Sequence, residues 1–249
     1  MNVEQTISAT MAFARQHYQD KPSVHGQTLL EHAVAVARMA ETIATKVYYD
    51  VRKDLICEET QESVAIVVHS ALLHDVINVS RCPFEQIAEH TTVQIAATVA
   101  DLSRDFRLVE TKRDMEYRGR LSASTVKTQI IAVADVICTT SELLTLLSDR
   151  GIEAAARARK ILMQLDGDLL AVTSAARFYQ LRLYVHAARN RLQEVSQMIK
   201  ETKAKARAAR QAAQIAGQAR ARIAARVSHE ENPKKEKPSG KKRAGRRDS

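Results

Sequence analysis

Residues 64–75 read Val-Ala-Ile-Val-Val-His-Ser-Ala-Leu-Leu-His-Asp, a mostly apolar run that ends in the doublet His74-Asp75. An imidazole and a carboxylate side by side at the end of such a segment are unfavourable unless something satisfies both, and a metal ion suits the pair. Two more residues stand in comparable surroundings. His32 lies in Leu-Leu-Glu-His-Ala-Val-Ala-Val-Ala (29–37), and Asp135 lies in Ile-Ile-Ala-Val-Ala-Asp-Val-Ile (130–137). The order is H…HD…D, with each candidate ligand on an apolar helix.

Working outward, the composition points to an all-α protein. The 249 residues include only 7 Gly and 4 Pro, and aromatics make up 4%. Few turn-formers among many helix-formers imply helices with short connections. That length suffices for one full helical core plus an appendage. No stretch reaches the roughly 18 uncharged apolar residues of a membrane span, so no membrane partner is expected. Met1-Asn2-Val3-Glu4-Gln5 lacks a basic segment followed by an apolar one, so no secretory signal is expected. Cys57, Cys82 and Cys138 form no C-x-x-C and read as reduced thiols of a cytoplasmic protein.

The net charge of +9 is unevenly spread. Residues 198–249 hold 16 Lys/Arg and 5 Asp/Glu, whereas the remainder is close to neutral at −2. The basicity therefore belongs to the C-terminal part.

Helical periodicity predicts helices over 5–20, 28–49 and 60–76. In the second, His32, Val36, Met39 and Ile43 recur on one face, which puts His32 on the stripe facing the core. Ser80-Arg81-Cys82-Pro83 reads as a turn, followed by helices at 84–90 and 93–102. Residues 103–124 are the most polar part of the core region. A helix at 125–148 carries Asp135, with Gly151 after it as a C-terminal cap. Helices near 152–165 and 168–190 complete a domain over 1–190. A long Ala-rich basic helix over 191–226 follows, with a thin apolar stripe at Leu192, Val195 and Ile199. The low-complexity basic tail 227–249 offers too little apolar surface to offset chain entropy, and disorder is expected there.

Two imidazoles and two carboxylates form a mixed N/O set suited to one divalent ion, Mn first, with Fe or Zn as alternatives. Four protein ligands on a six-coordinate ion leave positions for water and a phosphate oxygen, the setting of metal-assisted phosphate hydrolysis. Each residue has a plainer reading as well. His32 taken alone is a satisfied core histidine, and His74-Asp75 is a helix end with Asp75 paired to an Arg. Asp135 has no basic residue at i±3 or i±4.

The arrangement resembles the HD superfamily of metal-dependent phosphohydrolases. It looks most like the hydrolase domain of RelA/SpoT-type alarmone enzymes and their small single-domain relatives. Gly26-Gln-Thr-Leu-Leu-Glu-His32 resembles that family's G-E-P-Y-I-x-H, Ala71-Leu-Leu-His74-Asp75-Val-Ile its A-L-L-H-D-V-V, and Val133-Ala134-Asp135 its L-A-D. Residues 84–103 resemble the helix pair that follows the doublet, and the likeness extends over about 5–190. It implies an HD helical bundle, a metal held by His32, His74, Asp75 and Asp135, and (p)ppGpp pyrophosphohydrolase-like chemistry.

Departures accompany the likeness. The Glu-Asp pair that positions water after the doublet is replaced by Asn78-Val79, and neither can act as a general base. Thr139 stands where the family has a substrate-contacting Asn. The basic residue that stacks on guanine falls near Ser23-Val24. Asn78 and Thr139 are therefore the candidate polar groups beside the metal.

Two functions follow. One is a metal-dependent phosphohydrolase for a nucleotide or related phosphate ester, with Lys112, Arg113, Tyr117, Arg118 and Arg120 as phosphate contacts or, alternatively, a solvated face. The other is a catalytically weak HD domain that binds a nucleotide or protein. In either case the basic tail can neutralise nucleic-acid phosphates without sequence preference, or serve only as a solubilising extension. His25 and His69 read as surface or packing histidines.

Overall fold

The computed structural model describes residues 3–19, 21–23, 27–51 and 58–230. His25, Gly26, Val24 and Cys57 lie outside the described residues, as does the tail from 231 onward. Among the described residues there are ten helices and no strand, so the chain is all-α as its composition predicts.

Helices α1 (Val3–Tyr18), α2 (Leu29–Val51) and α3 (Glu58–Leu72) open the domain. Short α4 (Val76–Ser80), α5 (Phe84–His90) and α6 (Val93–Asp101) follow, then α7 (Glu110–Ala123), α8 (Val126–Arg150), α9 (Ile152–Ala175) and α10 (Tyr179–Glu230). The expected His32 stripe is a core face: Val36, Ala40 and Ile43 of α2 are fully buried. α8 is the central helix and packs against α2, α3 and α9. Thr125 caps it by accepting from the Thr128 N–H, and Gly151 at φ +53° ends it.

The apolarity of α8 and of 59–80 departs from expectation. Glu59–Ser80 and Val126–Arg150 are each long and apolar enough to cross a membrane by length and composition. The fold uses that apolarity internally, since 72% of the apolar window of Val126–Arg150 is buried among other helices. Helices surrounded by neighbours lose the polar face that a surface helix keeps.

Three boundaries differ from the periodicity. α4 forms directly after the doublet where no helix is expected, and α7 organises the polar segment 103–124. The break expected near 166–167 does not occur. α9 runs through Gly167, and the chain turns only after Ala175. The stripe Leu192, Val195, Ile199 is not an appendage either. Leu181, Val185, Ala188, Leu192, Val195 and Ile199 are all buried on one face of α10 and join the main core. The compact unit accordingly extends over Met1–Lys203, and Ala204–Ser249 forms a second unit. Residues 227–230 belong to α10, so the expected tail disorder falls on helix for those four.

Candidate metal centre and its cavity

The local structure around the doublet explains how two neighbouring side chains can serve one place. On a continuous helix they would diverge by about 100°. Here α3 ends at Leu72, residues 73–75 form a turn, and Asp75 stands immediately before α4 without a side-chain capping bond. His74 is 5% exposed, and its Nδ1–H donates to the Ala71 carbonyl at 2.8 Å. That bond fixes the tautomer and leaves Nε2 as a lone pair. Nε2 is buried without a hydrogen-bond partner and lies 3.5 Å from Asp75 Oδ2. The Asp75 N–H donates to the Tyr18 hydroxyl at 3.3 Å, which ties the turn to α1.

His32 and Asp135 complete the group. His32 Nε2 lies 3.2 Å from Asp135 Oδ1, and the His32 and His74 rings are 5.4 Å apart. Ligand atoms of His32, His74 and Asp135 all fall within 4.8 Å of one another. The structure thus brings three of the four expected ligands together, with Asp75 beside His74.

Glu142, about two turns beyond Asp135 on α8, gives no sign in the sequence of what it does. It is 7% exposed, and its Oε1 accepts from His32 Nδ1–H at 2.7 Å. This is the carboxylate–histidine arrangement that orients an imidazole and raises its basicity toward a metal. Burial opposes charge on His32, yet hydrogen bonds to Asp135 and Glu142 push it up to about 10. Burial likewise raises Asp135, but His32 outweighs it and holds the carboxyl well below the usual range. Three carboxylates beside two imidazoles create a demand for positive charge that a proton on His32 meets only in part. Together with the unpartnered His74 Nε2, the donor set fits a divalent ion.

A test of the Glu142 role follows. Glu142→Leu should weaken divalent-metal affinity about 10- to 100-fold, as loss of such partners typically does. Glu142→Gln, which keeps an acceptor oxygen, should lose less. Competition titration with a chelating dye reads both, and equal affinity in all three proteins would exclude the role.

The cluster opens into a cavity of about 470 Å³ between α8 and α9. Its walls include His32, His74, Asp75, Asn78, Asp135 and Thr139, together with aliphatic groups such as Ile131, Val136 and Leu169. Asn78 and Thr139 are both engaged with carboxylates of the group. Asn78 Nδ2 donates to Asp75 Oδ1 at 3.1 Å while its Oδ1 accepts the Arg104 N–H at 3.0 Å. Thr139 Oγ1 donates to Asp135 Oδ1 at 2.9 Å. Both residues therefore orient carboxylates.

The expected phosphate contacts fare differently from one another. Tyr117 lines the cavity, and burial raises its phenol so that it stays a neutral donor. Lys112 is exposed and Arg113 lies over the Phe106 ring at 4.9 Å; neither lines the cavity. Arg120 is spent on Glu116 and on the Ala100 and Ser103 carbonyls, and Arg118 on Asp168 at 3.1 Å. The cavity's cations are Arg104, Arg157 and Lys160. The last two sit on α9, three residues apart, and nothing in their local sequence marks them. Arg157 makes no hydrogen bond or ion pair among the described residues, and Lys160 has an exposed 3.3 Å contact with Glu110. Ser23 is buried and does not line the cavity. His69 is a packing histidine, hydrogen-bonded with Thr10 at 2.8 Å.

Arg104 is held rather than free. It pairs with Asp168, donates to Asp114 at 2.7 Å, and stacks 4.1 Å from the Tyr117 ring centroid. With the Gln164 amide turned to present Oε1, Nε and Nη2 also donate there at 3.1 and 3.0 Å. Arg118 completes this wall by passing directly over Gly167, where the nearest atoms to an added Cβ would be those of the Arg118 guanidinium. A mid-helix Gly is unfavourable by about 1 kcal/mol relative to Ala, and here it admits Arg118. Gly167→Ala should therefore displace Arg118 with little net change in Tm. In an Arg118→Ala background the same change should stabilise by up to about 1 kcal/mol. Thermal melts of the four proteins decide it, and a destabilising Gly167→Ala in that background would show another constraint.

No family model matches the sequence, and no curated protein matches it significantly. A solved structure does match: a metazoan ortholog of SpoT that hydrolyzes ppGpp and plays a role in starvation responses. It superposes with a TM-score of 0.54 at 14% identity, over 74% of this chain and 93% of that one. The two share a fold. The likeness is one of fold, an all-α helical bundle, and it spans nearly the whole of that protein.

Proposed function

We propose that this chain is a metal-dependent phosphohydrolase acting on a nucleotide or a related phosphate ester. The observation that carries the reading is the cluster of buried His32 and His74 with half-buried Asp135, beside Asp75, on the wall of a cavity that also presents Arg157 and Lys160. His32, His74, Asp75 and Asp135 would hold a divalent ion, Mn first, with Fe and Zn as alternatives. Such an ion supplies Lewis acidity toward a phosphate oxygen and a more nucleophilic water at neutral pH. Glu142 orients His32, Asn78 orients Asp75, and Thr139 orients Asp135. Arg157 and Lys160 balance phosphate charge, and the neutral Tyr117 hydroxyl offers a hydrogen bond. The aliphatic wall receives the less polar part of the substrate.

The metazoan ortholog of SpoT hydrolyzes ppGpp, which makes that nucleotide the first to test. The protein should be loaded with Mn, Fe or Zn and presented with ppGpp and a panel of nucleotides. Arg157→Gln with Lys160→Gln should raise KM for the best substrate about 10- to 100-fold, since hydrogen bonds to charged groups contribute roughly 1.5–3 kcal/mol. A protein that binds metal stoichiometrically and hydrolyses no phosphate ester would sink the reading.

A second reading has its own support. Asn78 and Val79, which follow the doublet, carry no titratable base, and both polar ends of Asn78 are occupied by Asp75 and Arg104. This favours a domain that binds a nucleotide with little turnover. Under it, nucleotide affinity measured by calorimetry would persist in metal-loaded protein without product formation.

A further inference from the structure

The second unit begins at Ala204, and its helical part is unlike any core helix of the chain. From 204 to 226 it holds six cations (Lys205, Arg207, Arg210, Arg220, Arg222, Arg226) and no Asp or Glu. Side chains from 207 to 226 are exposed throughout. The polar residues are not scattered. Arg207, Arg210, Gln214, Gln218, Arg222 and Arg226 follow steps of three and four, with Gln211 four after Arg207 and three before Gln214, so they lie on one side of the helix. Apart from Lys205, Arg220, Ile215, Ile223 and Gly217, the remaining positions are Ala. The stripe spans about 30 Å at the helical rise of 1.5 Å per residue.

The chemistry of this face excludes the commoner occupants of an exposed helix. A coiled-coil seam needs large apolar residues at a and d, and here only Ile215 and Ile223 are large and apolar. A membrane-surface helix needs a bulky Trp, Phe or Leu face opposite its cations. What the face offers is guanidinium groups at both ends and carboxamides between them. Guanidinium forks match phosphate oxygens, and carboxamides both donate and accept. No aromatic side chain interrupts the stripe, so base stacking, the signature of single-strand binding, is missing. The length is close to one turn of a duplex, about 34–36 Å.

We infer that the 207–226 face of α10 is a binding surface for the phosphate backbone of a nucleic-acid duplex. Arg207 and Arg210 form one cationic cluster and Arg222 and Arg226 the other, with the Gln residues lying between. Recognition is sequence-independent, because the side chains engage phosphates. The surface lies in the helix, ahead of the low-complexity tail that carries the remaining basic residues.

The test uses the full chain and fluorescence anisotropy with labelled duplex DNA and duplex RNA of mixed sequence. A helix variant (Arg207→Gln, Arg210→Gln, Arg222→Gln, Arg226→Gln) keeps helix-forming residues. A tail variant (Lys241→Gln, Lys242→Gln, Arg243→Gln, Arg246→Gln, Arg247→Gln) removes five charges instead of four. The helix variant should lose roughly tenfold or more in affinity near 0.1 M salt. Its slope of log K against log salt should flatten by about 3–4, at about 0.9 for each phosphate that is no longer neutralised. The tail variant should lose less on both counts, although it removes more charge. Preference for DNA or for RNA names the source of the phosphates, and either supports the surface. Tail-variant losses equal to or greater than the helix variant's would overturn it. So would tighter binding to vesicles of phosphatidylserine and phosphatidylcholine than to either duplex, or no measurable duplex binding by the wild type. Circular dichroism at 222 nm checks that the helix variant remains helical; if it melts, the single substitutions Arg210→Gln and Arg222→Gln, each flattening the slope by about one, carry the test.

Discussion

Asp135→Asn should leave the protein folded, strip it of divalent metal and reduce phosphate-ester hydrolysis by roughly 10³-fold or more. A Lewis acid contributes several kcal/mol to such a transition state, and each 1.4 kcal/mol is about tenfold. Asp135 is the member of the cluster with most at stake, because it faces His32 at 3.2 Å and accepts from Thr139. An amide of the same shape preserves the packing of α8 but is a poor ligand. His74→Ala should match it, since His74 Nε2 has no other partner to satisfy. Metal counting by plasma mass spectrometry, alongside circular dichroism, separates loss of the ion from loss of the fold. Asp135→Asn protein that retains one metal per chain at wild-type affinity would show that these four residues do not hold it.

The largest stability effect should come from the cavity's far wall. Asp168 is 7% exposed and accepts from both Arg104 and Arg118. Burial raises its carboxyl while the two guanidinium groups pull it back. Asp168→Ala leaves Arg104, whose side chain is 11% exposed, with Asp114 and Gln164 but without the more buried of its two carboxylates. Breaking one side of a buried pair is destabilising by about 3–5 kcal/mol. For a domain of this size that is a fall in Tm of roughly 6–20 °C. Replacing both partners, Asp168→Ala with Arg104→Met, should recover part of the loss, since the most buried cation of the wall is then gone and the charges that lose a partner, Asp114 and Arg118, are partly exposed. A Tm within about 2 °C of wild type for Asp168→Ala alone would mean that water already solvates this wall.

The residues that were legible in the sequence share a property: their surroundings contradict their chemistry. His32, His74 and Asp135 are polar groups inside apolar helical stripes, and such an anomaly is visible without any knowledge of what packs where. The helices were legible for the same local reason, because a 3.6-residue period needs only neighbours along the chain. Glu142, Asp168, Arg157 and Lys160 carry no such mark. Each sits on a helix where an acidic or basic residue is ordinary, and only the approach of another helix makes it part of the cavity. Glu142 acquires its role from an imidazole 110 positions earlier, Asp168 from Arg104, 64 positions earlier in the segment before α7.

Gly167 shows the limit from the other side. A Gly in mid-helix resembles an interruption when read along the chain, yet α9 continues through it, and the missing side chain leaves room for Arg118 of α7. Likewise Arg118 and Arg120 are indistinguishable in sequence from free phosphate ligands, and tertiary contacts commit both to carboxylates and backbone carbonyls. The sequence by itself therefore determined the all-helical class, the position of the doublet at a helix end and the three clustered candidate ligands, since propensity and periodicity act locally. Which charges meet across the cavity, and how far α10 remains in the core, were decided only by tertiary packing. Pairing energies depend on distances between helices that no local pattern encodes.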